Sequence, residues 1–200
     1  MDDKVTAVLD AYHERMARER KEREGKNSAD FLDRHMLSVG PDTGPFINLI
    51  ARSMDTPHIL EIGTSFGYSG IWLAEAARAA GGRVTTLEID ARKSAHAREM
   101  AEKAGLADYV DFQLGDAVEL IGKLSSGVDF VLLDLWKDMY VPCLEAFFPK
   151  LNPGAIIVAD NMIYPGGDSV ERYGKAVRAK PGIESVLLPV GTGLEVSRLP

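Results

Sequence analysis

Val128-Asp-Phe-Val-Leu-Leu-Asp134 is a near-continuous apolar run that ends on a carboxylate, and Ala155-Ile-Ile-Val-Ala-Asp160 is a second of the same kind, followed at once by Asn161. Apolar runs of this length without polar alternation suit parallel strands buried on both faces. Ligands of open α/β sheets bind outside the carboxyl ends of such strands, so Asp134, Asp160 and Asn161 are expected at a functional edge. Working outward, strand and helix alternate from Pro57 onward. Strands are predicted at His58 to Ile62, Arg83 to Glu88, Val110 to Leu114, Val128 to Asp134 and Ala155 to Asp160. The intervening helices are Ser69 to Ala80, Ala91 to Ala104, Ala117 to Leu124 and Met139 to Phe148, with a further helix near Val170 to Ala179. Ile183-Glu-Ser-Val-Leu-Leu-Pro189 then leads through Gly191-Thr-Gly193, a hairpin signal, into Leu194 to Leu199. This is an α/β pattern with a mainly parallel sheet that closes on an antiparallel pair.

The 200 residues, 46% of them hydrophobic, suit one domain, with N-terminal helices over 1–56 and the α/β core over 57–200. A net charge of −7 argues against nucleic acid or an anionic membrane surface as the partner, which leaves small molecules or proteins. A single cysteine, Cys143, excludes an internal disulfide, and no signal-like or membrane-spanning stretch is evident, so the cytoplasm is the expected compartment. The charged stretch Arg15-Met-Ala-Arg-Glu-Arg-Lys-Glu-Arg23 reads as a solvated helix, broken at Gly25-Lys-Asn27. Its apolar stripe of Val5, Val8, Leu9, Tyr12 and Met16 suits docking on the domain or on a second subunit of a homodimer. Another helix is expected to start near Asp42-Thr-Gly-Pro45.

The first strand runs into Glu61-Ile-Gly63-Thr-Ser-Phe-Gly67-Tyr-Ser69, a glycine turn that opens a helix. A dinucleotide fingerprint needs Gly-x-Gly-x-x-Gly, and the spacing here is Gly-x-x-x-Gly, which disfavours an NAD-dependent oxidoreductase. Glu61 at the mouth of the loop suits the ammonium or sulfonium of S-adenosylmethionine better than a phosphate. Glu88, closing the second strand, sits where a carboxylate accepts from a ribose diol. A tight βα turn with Glu88 on the surface is the structural alternative.

Asp134, Asp160 and Asn161 offer hard oxygens without His or Cys, which selects Mg²⁺, or Mn²⁺ or Ca²⁺, over zinc or copper. Three protein oxygens leave roughly half of an octahedral shell for water and substrate. Lys137, three residues after Asp134, is expected to have its pKa lowered by a neighbouring cation and sulfonium, the condition for a general base. Trp136 and Tyr140 admit two readings, packing residues or walls for a planar substrate.

Asp134-x-Trp136-Lys137-Asp-x-Tyr140, followed by Ala159-Asp160-Asn161-x-Ile163-x-Pro165-Gly166, resembles the cation-dependent class I S-adenosylmethionine O-methyltransferases, the group of the catechol and caffeoyl-CoA enzymes. The resemblance spans about His35 to Leu199. It implies a Rossmann-like fold with a seven-stranded sheet whose last strand is antiparallel. It further implies Mg²⁺ on Asp134, Asp160 and Asn161, and Lys137 as the residue that takes the proton from the attacking hydroxyl. Trp136 and Pro165 would wall a catechol ring, and Val39, Glu61, Gly63, Tyr68, Ser69, Glu88 and Asp134 would line the cofactor. The implied reaction is methyl transfer to one oxygen of a vicinal dihydroxy aromatic. His35 stands where the catechol enzymes carry another aromatic wall, and Leu135 replaces a histidine. Glu184 and Glu195 are out of register with the acid that meets the second hydroxyl. A methyltransferase-like binding module without catalysis is the non-enzymatic alternative.

Overall fold

The computed structural model describes residues 1–22 and 35–200. The break expected at Gly25-Lys-Asn27 lies outside the described residues. Seven strands form one sheet in the order β3-β2-β1-β4-β5-β7-β6. They are β1 (His58–Ile62), β2 (Arg83–Glu88), β3 (Val110–Leu114), β4 (Val128–Leu133), β5 (Leu151–Ala159), β6 (Glu184–Leu188) and β7 (Leu194–Arg198). Strands β1 to β5 pair in parallel, and β7 lies antiparallel to both β5 and β6. The expected hairpin and mainly parallel sheet are therefore both present.

Strand β5 starts at Leu151, four residues before the expected Ala155. Asn152-Pro-Gly154 belongs to the strand as an irregularity between the pairs Val128–Leu151 and Phe130–Ile156, where the β4 register shifts.

Side chains of β1, β4 and β5 alternate between two apolar layers, as the period of two in a strand requires. Ile59, Phe130, Leu132 and Val158 face one layer, and Leu60, Ile62, Val131, Leu133, Ile157 and Ala159 the other. The first layer is covered by α1 (Asp3–Glu22), α2 (Gly40–Arg52), α3 (Tyr68–Ala80) and α4 (Ala91–Lys103). The second is covered by α5 (Ala117–Lys123), α6 (Tyr140–Phe147) and α7 (Asp168–Arg178). Helix starts follow local chemistry. Asp90 caps α4 by accepting from the backbone of Arg92 and Lys93, and Asp116 caps α5 by accepting from Glu119 N–H. The Arg92 guanidinium and the backbone donors hold the Asp90 carboxyl down at about 2.

The sequence left the target of α1 open, and the structure resolves it. Val5, Val8, Leu9 and Tyr12 are buried against this chain's own core, with Met16 packed partly against it. Among the described residues no helix is long and apolar enough to cross a membrane.

Candidate active site

Strand order reverses between β1 and β4, so the loops leaving those two strands part in opposite directions and open a crevice at the carboxyl edge. The β1 loop crosses this crevice closely. A Cβ on Gly63 would stand 2.0 Å from the Asp134 carbonyl oxygen, and φ there is +103°, so only glycine fits. Asp134 N–H in turn donates to the Ile62 carbonyl at 3.0 Å. The glycine turn and the first acidic strand end are thus joined through backbone.

Glu61 sits deeper than the sequence suggests. Its carboxyl is fully buried beneath the turn and not at its mouth. Thr86 Oγ1 donates to Glu61 Oε2 at 2.5 Å and meets Thr64 Oγ1 at 2.5 Å, while Oε1 has no hydrogen-bond partner among the described residues. Burial, aided by the negative charges of Asp134 and Glu88, pushes the Glu61 carboxyl up to about 7. Gly70 explains how α3 covers it, since a Cβ there would lie 3.2 Å from Glu61 Oε2.

Glu88 ends β2 and organises the two loops beside it. It accepts from Ser65 N–H at 2.7 Å and from Ile89 and Asp90 N–H, each at 2.9 Å. Ser69 is buried in the first turn of α3. The Tyr68 ring turns away from the crevice toward α1, where its hydroxyl lies 3.0 Å from His13 Nε2 and its ring meets Tyr12 edge-on. Any part Tyr68 plays at the crevice falls to its backbone. Val39 is buried at the start of α2, beside the turn at Gly191. His35 pairs with Glu22 at 3.5 Å.

Across the crevice, β4 and β5 are paired with Leu133 opposite Ala159, so Asp134 and Asp160 leave the sheet side by side. Lys137 Nζ donates to Asp134 Oδ1 at 3.1 Å and to the Tyr140 hydroxyl at 2.8 Å. Tyr140 is completely buried and donates onward to the Asp160 carbonyl at 3.0 Å. Of the two readings open for this tyrosine, packing is the observed one, with a polar tip that fixes Lys137. Burial, with Asp134 and Asp160 nearby, drives its phenol well above the ordinary range, so it stays protonated. Trp136 is 59% exposed, which removes the packing reading for that residue. Ile163, Tyr164 and Pro165 are exposed on the loop after β5.

Sequence reasoning missed Thr192, taken only as the middle of a hairpin turn. Its hydroxyl donates to Asp160 Oδ1 at 2.7 Å and accepts from Asn161 Nδ2 at 3.0 Å. Its carbonyl accepts from Ile163 N–H at 3.0 Å and Tyr164 N–H at 2.8 Å. The available signal was a hydroxyl residue between two glycines at the functional edge. Tyr12 was noted only as an apolar residue, yet its hydroxyl donates to the Phe66 carbonyl in the glycine turn at 2.5 Å. The two acids judged out of register are indeed elsewhere. Glu184 pairs opposite Arg198 at the far end of the hairpin, and Glu195 is buried in a two-pronged pair with Arg178 at 2.8 and 2.9 Å.

Among the described residues no group of three or more His, Cys, Asp and Glu side chains gathers, so a metal here would rest on two carboxylates and the Asn161 amide. Asp160 itself fits a cation. Its Oδ2 is buried without a hydrogen-bond partner among the described residues, and burial together with the Asp134 charge pushes the carboxyl up to about 7. A buried carboxylate oxygen in that condition is stabilised by a proton or by a positive ion.

Comparison with known proteins agrees with this geometry. Catechol O-methyltransferase of Niastella koreensis is 35% identical over 134 residues, which is 65% of this chain and 60% of that protein. Catechol O-methyltransferase of Mycobacterium tuberculosis is 35% identical over 141 residues, 70% of this chain and 64% of that protein. The chain therefore spans less than two thirds of the length of these two relatives. An O-methyltransferase from Bacillus cereus, solved in complex with SAH, superposes with a TM-score of 0.75 at 26% identity, covering 100% of this chain and 92% of that one. The sequence profile described as O-methyltransferase matches residues 11–199, and the chain belongs to that family.

Proposed function

We propose that this chain transfers the methyl group of S-adenosylmethionine to one oxygen of a vicinal dihydroxy aromatic, in a reaction that depends on Mg²⁺ held by Asp134, Asp160 and Asn161. The observation that carries the reading is the adjacency of the Asp134 and Asp160 strand ends beside Lys137, with one buried Asp160 oxygen lacking a protein partner. The SAH carried by the Bacillus cereus relative supports the donor. The two curated catechol O-methyltransferases support the acceptor class. Residues 1–200 are read as one catalytic unit.

In this reading Gly63, Ser69 and Val39 border the donor, beside the buried Glu61, and Tyr68 contributes its backbone. A carboxylate has roughly four acceptor directions, so Glu88 retains capacity for a ribose hydroxyl beyond its three backbone partners. Mg²⁺ held by Asp134, Asp160 and Asn161 would supply Lewis acidity that eases loss of the proton from the reacting hydroxyl. Lys137 Nζ receives that proton as a neutral amine, whose two N–H groups are directed at Asp134 and Tyr140 and whose lone pair is left for the acceptor hydroxyl. Trp136 and Pro165 flank the acceptor ring, with His35 at its far side, and hold the oxygen in line with the methyl group. Glu184 and Glu195 are both directed elsewhere, so neither is assigned to the second hydroxyl.

Calorimetric titration of the full chain with SAH and, in parallel, with NAD⁺ tests the donor. Labelled methyl transfer to a panel of catechols with and without Mg²⁺ tests the acceptor and the metal. Saturable SAH binding and Mg²⁺-dependent labelling are expected. Binding of NAD⁺ without SAH, or undiminished transfer in excess chelator, would remove the reading.

A further inference from the structure

We infer that Thr192 is a positioning residue for the cation site: its hydroxyl turns one oxygen of Asp160 and the amide oxygen of Asn161 toward the ion. The inference rests on the reading of Asp134, Asp160 and Asn161 as metal ligands, and it concerns a residue in the turn between β6 and β7.

Three observations converge on it. The Thr192 hydroxyl donates to Asp160 Oδ1 at 2.7 Å, which occupies that oxygen, while Oδ2 is buried without a partner among the described residues. One carboxylate is thereby divided into a held oxygen and an available one. The same hydroxyl accepts from Asn161 Nδ2 at 3.0 Å, which commits the amide nitrogen to Thr192 and leaves the amide oxygen as the ligand atom. Asn161 itself has φ of +59°, in the left-handed region that asparagine enters more readily than other non-glycine residues. Finally, the hairpin turn is seated on the metal loop. The Thr192 carbonyl takes two N–H groups from Ile163 and Tyr164, Met162 N–H donates to the Gly193 carbonyl at 3.0 Å, and a Cβ on Gly193 would stand 2.4 Å from Ile163.

A hydroxyl suits this post because it donates to a carboxylate and accepts from an amide at once. A carboxylate here would repel Asp160, and an apolar side chain would leave both ligands unheld. Groups that orient metal ligands without touching the metal commonly control affinity.

The test is Mn²⁺ binding to the full chain, followed by calorimetry and by the loss of the free-ion electron paramagnetic resonance signal, in wild type, Thr192→Val, Thr192→Ala and Thr192→Ser. SAH affinity is measured beside it in each. Thr192→Val and Thr192→Ala are expected to weaken Mn²⁺ by ~10-fold or more, and Thr192→Ser to keep wild-type affinity within about threefold. SAH affinity should stay unchanged in all three, a split that general loosening of the fold would not produce. The alanine variant adds no bulk, so it carries the test if the valine variant does not fold. Wild-type Mn²⁺ affinity in the alanine variant would overturn the inference while leaving the metal reading intact. Absence of Mn²⁺ binding by the wild type would instead overturn the metal reading on which it rests.

Discussion

Lys137 and Tyr140 form a fixed pair, with Lys137 Nζ donating to the phenol at 2.8 Å and the phenol donating to the Asp160 carbonyl at 3.0 Å. The lysine is therefore tied to both acidic strand ends, to Asp134 directly and to Asp160 through a buried ring. Lys137→Ala should lower turnover by ~10²-fold or more, the range for loss of a general base, with little change in SAH affinity. A pH–rate profile identical to wild type in that variant would eliminate the lysine as base.

Tyr140→Phe keeps the ring in its place against Tyr173, 5.4 Å away between centroids, and removes only the bridge. The Asp160 carbonyl then loses a buried donor at a cost of about 1–3 kcal/mol in stability. Turnover should fall while acceptor KM rises less, because Lys137 is misplaced and not deleted. Thermal melting and steady-state kinetics on the same preparation would separate the two effects.

Asp160→Ala should abolish Mg²⁺-dependent transfer and leave SAH binding close to wild type, since the proposed function sets the donor across the crevice on β1 and β2. Activity that persists in this variant and resists chelator would count against the ion.

Helix α1 reaches the glycine turn from outside the sheet. Tyr12 donates to the Phe66 carbonyl at 2.5 Å, and the Arg15 guanidinium lies 3.9 Å from the Phe66 ring centroid. Loss of one such hydrogen bond is worth about 0.5–1.5 kcal/mol. Tyr12→Phe should weaken SAH binding by a corresponding ~3- to 10-fold, with Mn²⁺ affinity unaffected. Calorimetry with both probes decides it.

Glu61 gives the protein a pH signature. Its folded pKa, raised to about 7 by burial, exceeds the unfolded value of 4.5, so the folded state holds a proton that the unfolded state has released between those limits. Its contribution to stability is complete below 4.5 and is lost as pH rises to about 7. The full window amounts to about 3 kcal/mol. Melting of Glu61→Gln without SAH should be flatter than wild type across this range, and its advantage should be largest above pH 7. Parallel curves for the two proteins would contradict the buried assignment.

Much of this molecule was readable in one dimension, and what was not has a common cause. The β1, β4 and β5 cores are apolar runs whose ends are marked by charge or glycine, so Asp134 and Asp160 could be set at one edge before any coordinates. The Gly63 to Gly67 turn was equally legible, because glycine reports backbone conformation directly. The Thr192 contact to Asp160 and the Tyr12 contact to Phe66 join residues 32 and 54 positions apart, and neither leaves a local pattern. The depth of Glu61 was hidden for a related reason. Its burial depends on α3 coming close at Gly70, and a glycine in a helix does not announce what lies beneath it. Helix α2 also begins at Gly40, ahead of the expected Asp42, where a glycine at φ +82° precedes Pro41.

The parallel register that sets Leu133 opposite Ala159 has a consequence for how such a protein can diversify. The spacing of the two carboxylates is inherited from the separation of neighbouring strands, a quantity that side-chain substitution barely alters. On the proposed function, new acceptors would be accommodated by the parts that hang from that fixed frame: Trp136 after β4, the loop of Ile163 to Pro165 and the hairpin that carries Thr192. One half of the crevice is geometry held constant by the backbone, and the other half is the portion open to change.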